Sequence, residues 1–243
     1  MNLTTALKDL AKTAGDPVFW PASRTEIRSL LKTYPAPQSA DVWKITQQYA
    51  GQGWYKRLGA YQVESEFRGL TDWAASVKPA VVIEIGTANG ATLLMWSRVA
   101  TQHIISIDLP GGIHGGGYPE KKGKLFKEFL SDRAQVKLDL LRRDSQRPET
   151  KAQVQSLLAG RQADILFIDG DHRLEGVTRD FELWKDIVRP GGYIVFHDVV
   201  PHREATSQVD VLWRQIRAAH PDRTREIVQA QDQGWAGIGI LQV

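Results

Sequence analysis

The sequence of 243 residues contains no cysteine. This absence excludes disulfides, thiolate metal ligands and a cysteine nucleophile, and it leaves the redox compartment open. Long hydrophobic runs are also missing, because no window approaches the roughly 18 apolar residues of a membrane span. The stretch from Met1 to Leu10 lacks the continuous apolar run of a secretory signal. We therefore expect a soluble cytoplasmic protein with no membrane partner.

An excess of one charge is absent as well. The 31 lysines and arginines nearly balance the 28 aspartates and glutamates, which leaves a net charge of +3. A balance of this kind gives no reason to expect a nucleic-acid partner. One dense basic cluster is formed by Lys121, Lys122, Lys124 and Lys127. We interpret it as the solvated face of a helix rather than a phosphate-binding patch.

The pattern of apolar residues changes near residue 78. Residues 1–78 show helical spacing without a strand-like run, and they hold four of the eight tryptophans. We expect these tryptophans to pack a helical N-terminal region onto the sheet, although a cap over the substrate pocket or an oligomerisation interface would use the same residues. A homo-oligomer is also expected. Residues 79–243 alternate strand-like and helical segments, which predicts a separate α/β domain with a mostly parallel sheet.

The most informative stretch begins with the β-branched run of residues 81–85 and continues through a glycine-containing turn into a helical pattern. The turn consists of Gly86, Thr87, Ala88, Asn89 and Gly90, and Glu84 lies two positions before Gly86. Glycines let a ligand approach the main chain, and the helix start behind them offers free N–H groups. The spacing differs from the G-x-G-x-x-G dinucleotide pattern, which disfavours an NAD-dependent oxidoreductase. An ordinary turn with two glycines remains the alternative.

A second acidic residue follows at a spacing that is typical of nucleoside-binding folds. Residues 103–108 form the next strand-like run and end in Asp108, 22 residues after Gly86. A carboxylate near that offset, at the end of the second strand, accepts hydrogen bonds from ribose hydroxyls in nucleoside-binding folds. The alternative is an aspartate that caps the following loop, since turns favour aspartate. Together the two motifs favour nucleoside binding.

Several later motifs narrow the interpretation. Asp144-Ser145 follows the third strand, Asp169-Gly170-Asp171-His172 follows the fourth, Arg189-Pro190-Gly191-Gly192 is predicted as a turn, and His197-Asp198 ends the fifth strand. With the acid-x-Gly-x-x-x-Gly turn, this set resembles the class I S-adenosylmethionine-dependent methyltransferases. Within that class it resembles the small-molecule O-methyltransferases of the cephalosporin-hydroxylase-like and catechol O-methyltransferase-like group. The resemblance implies a Rossmann-like, seven-stranded, mostly parallel sheet with helices on both faces, closed by an antiparallel pair of strands.

The resemblance also implies S-adenosylmethionine as cofactor. The residues expected to bind it are Glu84, Gly86, Thr87, Asn89, Gly90, Asp108, Asp144, Ser145 and Asp169. In this interpretation Asp144 accepts from the adenine amino group, and the alternative is a plain helix or turn cap. A glycine-rich loop, residues 111–117, is interpreted as part of the active site, with His114 solvated.

A metal site is the next expectation from the resemblance. Asp169, His197 and Asp198 are expected to hold a divalent cation, with Mg²⁺ as the first choice. Relatives have an acid or an amide where this chain has His197, which shifts the preference toward transition metals or places His197 beside the site. Relatives place a lysine base at the position of His172, so His172 and Asp169 are the expected catalytic residues. The alternative is that His172 or Asp171 caps the following helix.

The predicted activity is methyl transfer to a hydroxyl of a small molecule, either a sugar or a secondary metabolite. Two alternatives remain open. A nucleic-acid methyltransferase is disfavoured because the chain has neither an Asn-Pro-Pro-aromatic motif nor a cysteine for pyrimidine chemistry. A non-catalytic nucleoside-binding protein would share the cofactor motifs without turnover.

Overall fold

The computed structural model describes residues 3–35, 38–111 and 116–243. Within them, seven strands form one sheet in the order β3-β2-β1-β4-β5-β7-β6. The strands are β1 (Val81–Ile85), β2 (His103–Asp108), β3 (Lys137–Arg142), β4 (Ala163–Ile168), β5 (Val188–His197), β6 (Thr224–Ile227) and β7 (Ile238–Gln242). The first five pair in parallel, whereas β7 runs antiparallel to both β5 and β6. The predicted Rossmann-like fold is confirmed.

Helices precede the sheet and connect its strands. They are α1 (Leu3–Ala14), α2 (Asp16–Thr33), α3 (Ser39–Gln48), α4 (Glu64–Val77), α5 (Ala91–Val99), α6 (Lys122–Glu128), α7 (Pro148–Leu158), α8 (Leu174–Trp184) and α9 (Val209–Ala219). In the part of the chain that the structure describes, no helix combines the length and apolarity needed to cross a membrane.

The centre of the sheet explains where a site can form. All five residues of β1 are buried, because β2 and β4 flank it and helices cover both faces. The carboxyl ends of the parallel strands therefore meet at one edge beside β1. This edge, where strand order reverses between β1 and β4, is where open α/β sheets bind ligands.

The N-terminal helices pack onto one face of the sheet. Ile27, Val42 and Phe67 belong to the same apolar cluster as Phe167 of β4. The Trp73 ring meets Tyr193 of β5 edge-on, with ring centroids 5.1 Å apart. Residues 1–78 therefore share a core with the sheet, and their division from residues 79–243 as a separate domain stays a prediction.

Two local predictions have different outcomes. Residues 189–192 do not form a turn before β5 but lie inside it. Ala163 pairs with Val188 and Ile165 with Tyr193, so β5 carries extra residues as a bulge. The predicted placement of His114 concerns residues 112–115, which lie outside the described residues.

Candidate active site

The glycine-containing turn begins where β1 ends. Gly86 and Gly90 both have a φ of +91°, a backbone conformation that residues with a Cβ rarely adopt. A Cβ on Gly86 would lie 1.9 Å from the carbonyl oxygen of Asp169, and one on Gly90 would lie 2.3 Å from the Phe126 ring. The glycines therefore serve close internal packing. Gly86 also brings the cofactor motif into contact with the end of β4.

Asp108 holds this turn in place. Its Oδ2 accepts hydrogen bonds from the backbone N–H groups of Thr87 and Ala88, at 2.9 and 2.7 Å. Its Oδ1 accepts from the backbone N–H of Leu109 at 2.7 Å. Burial raises the pKa of Asp108, although these N–H groups oppose the rise. The loop-capping role is thus present, and ribose binding by the same carboxylate stays a prediction.

Glu84 lies beneath the turn and is fully buried. Its Oε2 accepts a hydrogen bond from the Ser106 hydroxyl at 3.0 Å, and that hydroxyl also makes a short contact with the Thr87 hydroxyl. Its Oε1 has no hydrogen-bond partner among the described residues. Burial raises the pKa of Glu84 to about 8. The one sequence signal for Ser106 is that it is a polar residue within the otherwise apolar strand β2.

The Asp144-Ser145 pair is engaged internally. Asp144 accepts from the backbone N–H of Gln146 at 2.9 Å and pairs with Nε of Arg147 at 3.1 Å, so it caps the turn before α7. The Ser145 hydroxyl donates to Oδ1 of Asp180 at 2.8 Å. Asp180, which lies on α8 and is fully buried, was missed because no sequence pattern marks it. Adenine recognition by Asp144 stays a prediction.

Four side chains meet at the ends of β4 and β5. His172 places Nδ1 2.8 Å from Oδ2 of Asp198 and Nε2 3.3 Å from Oδ1 of Asp169. His197 places Nδ1 3.1 Å from Oδ1 of Asp169 and 3.3 Å from Oδ1 of Asp198. The structure thus brings together all four of the residues predicted for catalysis and metal binding. We call these four residues the His–Asp cluster.

The charges in the His–Asp cluster stabilise one another. Burial by itself lowers the pKa of histidine and raises that of a carboxyl group. Against burial, contacts with Asp169 and Asp198 raise the pKa of His172 to about 11, and the charge of Asp169 raises the pKa of His197. The histidines in turn hold the pKa of both carboxyl groups below the ordinary range despite burial. His172 is therefore protonated at neutral pH. The prediction of a base at this position had assumed the ordinary pKa of histidine.

The helix-capping alternative is resolved by the loop before α8. Oδ1 of Asp171 accepts a hydrogen bond from the backbone N–H of Arg173 at 3.0 Å. This bond closes the turn before α8, and the helix itself has no side-chain cap hydrogen bond. The ring of His172 faces the two carboxylates of the His–Asp cluster.

A neighbouring loop fixes the orientation of Asp198. Asp198 has a φ of +61°, and its Oδ1 accepts a hydrogen bond from the backbone N–H of Ala236 at 2.9 Å. The loop that contains Ala236 is tied to α4 by Glu66, whose buried carboxylate accepts from Gln229, Gln233 and Gly237 at 2.8–2.9 Å. No local sequence pattern marks Glu66, because its partners lie more than 160 residues away.

The donor atoms of the cluster, carboxylate oxygens and imidazole nitrogens, are of the kinds that bind small divalent cations. Nε2 of the buried His197 has no hydrogen-bond partner among the described residues, whereas its Nδ1 lies within ion-pair distance of Asp169 and Asp198. Around an octahedral cation with bonds of about 2.1 Å, neighbouring ligand atoms stand about 3 Å apart, close to the distances seen here. The four side chains contact one another directly, and over the described ranges no group of three or more such residues already has the arrangement of a metal centre.

Comparison with known proteins agrees with this geometry. Residues 83–199, from β1 to just beyond β5, match the family described as "Methyltransferase domain". This segment is a methyltransferase domain. It contains the glycine turn, Asp108 and the whole His–Asp cluster, so the predicted class of protein is confirmed.

Similar proteins extend the comparison over most of the chain. An uncharacterized protein, R132 of Acanthamoeba polyphaga mimivirus, is 35% identical over 122 residues, or 50% of this chain and 52% of that protein. The chain thus spans about half the length of this curated relative. The O-methyltransferase from Bacillus cereus, solved with SAH, is 16% identical with a TM-score of 0.54, covering 85% of this chain and 90% of that one. MycE methyltransferase of the mycinamycin pathway, solved with Mg and SAH, is 16% identical with a TM-score of 0.52, covering 85% and 54%. These structures share the class I methyltransferase fold.

Proposed function

We propose that this methyltransferase domain transfers a methyl group from S-adenosylmethionine to a hydroxyl oxygen of a small molecule. The observation that carries the proposal is the contact between the two motifs. Gly86 of the glycine turn lies against the main chain of Asp169, so a cofactor held at the turn lies next to the His–Asp cluster. The O-methyltransferase fold of the neighbour from Bacillus cereus, solved with SAH, supports the same assignment.

The cofactor side of the site supplies hydrogen-bond acceptors. Bound S-adenosylmethionine supplies an electrophilic methyl group on a sulfonium. Asp108 already accepts three backbone hydrogen bonds, which leaves one lone pair of Oδ1 free at the end of β2 to accept from a ribose hydroxyl. Glu84 lies beneath the same turn and is connected to Thr87 through the hydroxyl of Ser106. Asp144 and Ser145 lie after β3 and are proposed to meet the adenine.

The acceptor side of the site handles the proton of the hydroxyl group. The pKa of about 11 keeps His172 protonated while Asp169 and Asp198 are both ionised and in contact with it. His172 can accept a proton at Nε2 only when another positive charge neutralises these carboxylates. We propose that Asp169, His197 and Asp198 would hold a divalent cation, which would supply that charge and would lower the pKa of the acceptor hydroxyl. The mixed nitrogen and oxygen donors suit Mn²⁺ or Zn²⁺ as well as Mg²⁺.

Calorimetry with S-adenosylhomocysteine tests the cofactor assignment. We expect wild type to bind it and Asp108→Ala to bind at least about 100-fold more weakly. The substitution removes the carboxylate acceptor and leaves the backbone N–H groups that it binds without a partner. Asp222→Ala, at an exposed turn, is the matched control and should bind like wild type. Absence of wild-type binding, or binding indifferent to Asp108, would overturn the assignment.

Product formation tests the reaction and the cation separately. A panel of sugars, phenols and other hydroxylated metabolites is incubated with S-adenosylmethionine, and methyl ethers are detected by mass spectrometry. EDTA should abolish product, and Mg²⁺ or Mn²⁺ should restore it. Activity unchanged by chelation in protein shown to be metal-free would reject the cation. Cofactor binding without turnover on any hydroxyl would instead favour a non-catalytic nucleoside-binding protein.

The oligomeric state is a further part of the proposal. Leu7 and Leu10 of α1 and Val18 of α2 are among the exposed large apolar residues, at 59%, 66% and 69% exposure. Such residues support association through the N-terminal region. Light scattering after gel filtration should give a homo-oligomer that Leu7→Lys/Leu10→Lys converts to a monomer. A monomeric wild type would contradict this.

A further inference from the structure

One lysine of the basic cluster is not solvated. Lys122, the first residue of α6, is only 4% exposed, in contrast to the solvated face predicted for this cluster. Its neighbour Lys121 behaves as predicted for a surface lysine, since its side chain is 36% exposed and it pairs with Asp16 at 3.1 Å. Burial of a lysine costs free energy unless its ammonium group has hydrogen-bond or ionic partners. The partners of Lys122 therefore indicate its role.

The surroundings of Lys122 are neutral. Its Nζ donates to the backbone carbonyls of Lys56 and Arg57 at 3.1 and 3.0 Å, and to Oδ1 of Asn89 at 3.1 Å. The Phe126 ring centroid lies 6.0 Å away. No carboxylate in the described ranges forms an ion pair with Lys122. Its positive charge is therefore solvated by dipoles but not compensated by an anion.

The charge persists at neutral pH. Burial lowers the pKa of Lys122 to about 8, which leaves the ammonium form in the majority at pH 7. A buried cation without a counter-ion is strongly destabilising unless an anion completes the site. Lys122 thus has the electrostatic character of a half-formed ion pair.

The position of Lys122 indicates which anion completes it. Asn89, its side-chain partner, belongs to the glycine-containing turn of residues 86–90. In the proposed function this turn receives the amino-acid end of S-adenosylmethionine, whose carboxylate is the anionic group of that ligand. The Asn89 amide is partly exposed and can rotate away, whereas the two backbone carbonyls are fixed by the chain.

We propose that Lys122 binds the carboxylate of the methionine moiety of S-adenosylmethionine. This assignment rests on the proposed function and adds a binding residue to it. The carboxylate takes the place of one neutral acceptor, which converts an ordinary hydrogen bond into a charge-assisted one. The other two hydrogen bonds keep the ammonium oriented, so the turn and the segment at residues 56–57 close on the ligand together.

The test compares ligands with and without the carboxylate. S-adenosylhomocysteine carries it, whereas 5′-methylthioadenosine has the same nucleoside and a thioether without the amino acid. Both are titrated by calorimetry into wild type, Lys122→Met and the matched control Lys121→Met. We expect Lys122→Met to weaken S-adenosylhomocysteine binding by about 10- to 100-fold and 5′-methylthioadenosine binding by less than about 2-fold. Lys121→Met should change neither.

Each other outcome overturns the assignment. Equal weakening of both ligands would mean that Lys122 only supports the fold of the turn, and no change in either would remove it from the site. Decarboxylated S-adenosylhomocysteine tests wild type alone, in case Lys122→Met does not fold. It should bind about 10- to 100-fold more weakly than the parent compound, and equal affinity would contradict the proposal. If wild type binds neither nucleoside, the proposed function itself fails.

Discussion

Two pairs of carboxyl groups at one sheet edge behave in opposite ways. Glu84 and Asp108, on the cofactor side, have raised pKa values. Asp169 and Asp198, on the acceptor side, have lowered ones. All four lie at or near the carboxyl ends of neighbouring strands, and burial acts to raise the pKa of each. The difference arises from their partners.

The partners on the cofactor side are hydroxyl and backbone N–H groups, which oppose burial without overcoming it. On the acceptor side the partners are His172 and His197, whose charges overcome it. The comparison teaches that burial alone does not set the charge of a site. The carboxyl groups of the cofactor side have no cationic partner, whereas those of the acceptor side are paired with histidines.

The largest effect is expected for a substitution on the acceptor side, and it is a loss of kcat. Asp169→Asn removes a charge that holds His172 and His197, so we expect kcat to fall by about 100- to 10,000-fold with any acceptor found in the methylation panel. The measurement is initial rate at saturating S-adenosylmethionine. A change below threefold in a folded variant would remove Asp169 from the reaction.

The next effect tests the contact between the glycine turn on the cofactor side and Asp169 on the acceptor side. Gly86→Ala places a methyl group 1.9 Å from the Asp169 carbonyl at a positive φ, and we expect a loss of about 2–4 kcal/mol in the free energy of unfolding. Urea unfolding measures it. Gly160→Ala is the control, because it also has a positive φ but nothing within 4 Å of the added Cβ. Similar losses in the two variants would show that backbone strain, not contact with Asp169, is the cause.

A fifth buried carboxyl group sharpens the comparison through pH. Burial raises the pKa of Asp180 to about 7, and no histidine opposes it. Asp180 therefore takes up a proton on folding between about pH 4 and 7, so wild type loses stability relative to Asp180→Asn as pH rises through that window. We expect this difference to change by about 2 kcal/mol between pH 5 and 8. A pH-independent difference would mean that Asp180 is ionised throughout.

The smallest effect concerns Glu84. Because its pKa of about 8 leaves it mostly protonated at pH 7, Glu84→Gln should cost less than about 1 kcal/mol in unfolding free energy. Asp198→Asn, at an ionised position, is the contrasting variant and should cost more, since it leaves Nδ1 of His172 without its carboxylate partner. A larger cost for Glu84→Gln than for Asp198→Asn would reverse the comparison.

Much of the fold was predictable because it depends on local pattern. The bounds predicted for β2 match the structure, and the closing antiparallel pair was expected. The bulge at residues 189–192 was not, because a Pro-Gly-Gly sequence is compatible with a turn or with an irregular strand. The loop at residues 229–237, which holds Asp198 through Ala236, depends on pairing with α4 that no local pattern encodes.

The site was predictable as a set of residues but not in its charge state. The family resemblance selected Asp169, His172, His197 and Asp198, and the structure brings them together as neighbours. The resemblance could not show that His172 touches both carboxylates and is held protonated. Nor could it distinguish the buried Lys122 from the exposed lysines beside it, because the register of α6 against the turn depends on tertiary packing.

One titration tests most directly whether the site is divided into a cofactor side and an acceptor side. S-adenosylhomocysteine is titrated by calorimetry into wild type, Asp108→Asn and Asp198→Asn, with melting temperatures confirming that each variant is folded. The account predicts binding at least about 10-fold weaker for Asp108→Asn and within about 3-fold of wild type for Asp198→Asn. Unchanged binding in Asp108→Asn, or an equal loss in both variants, would contradict it.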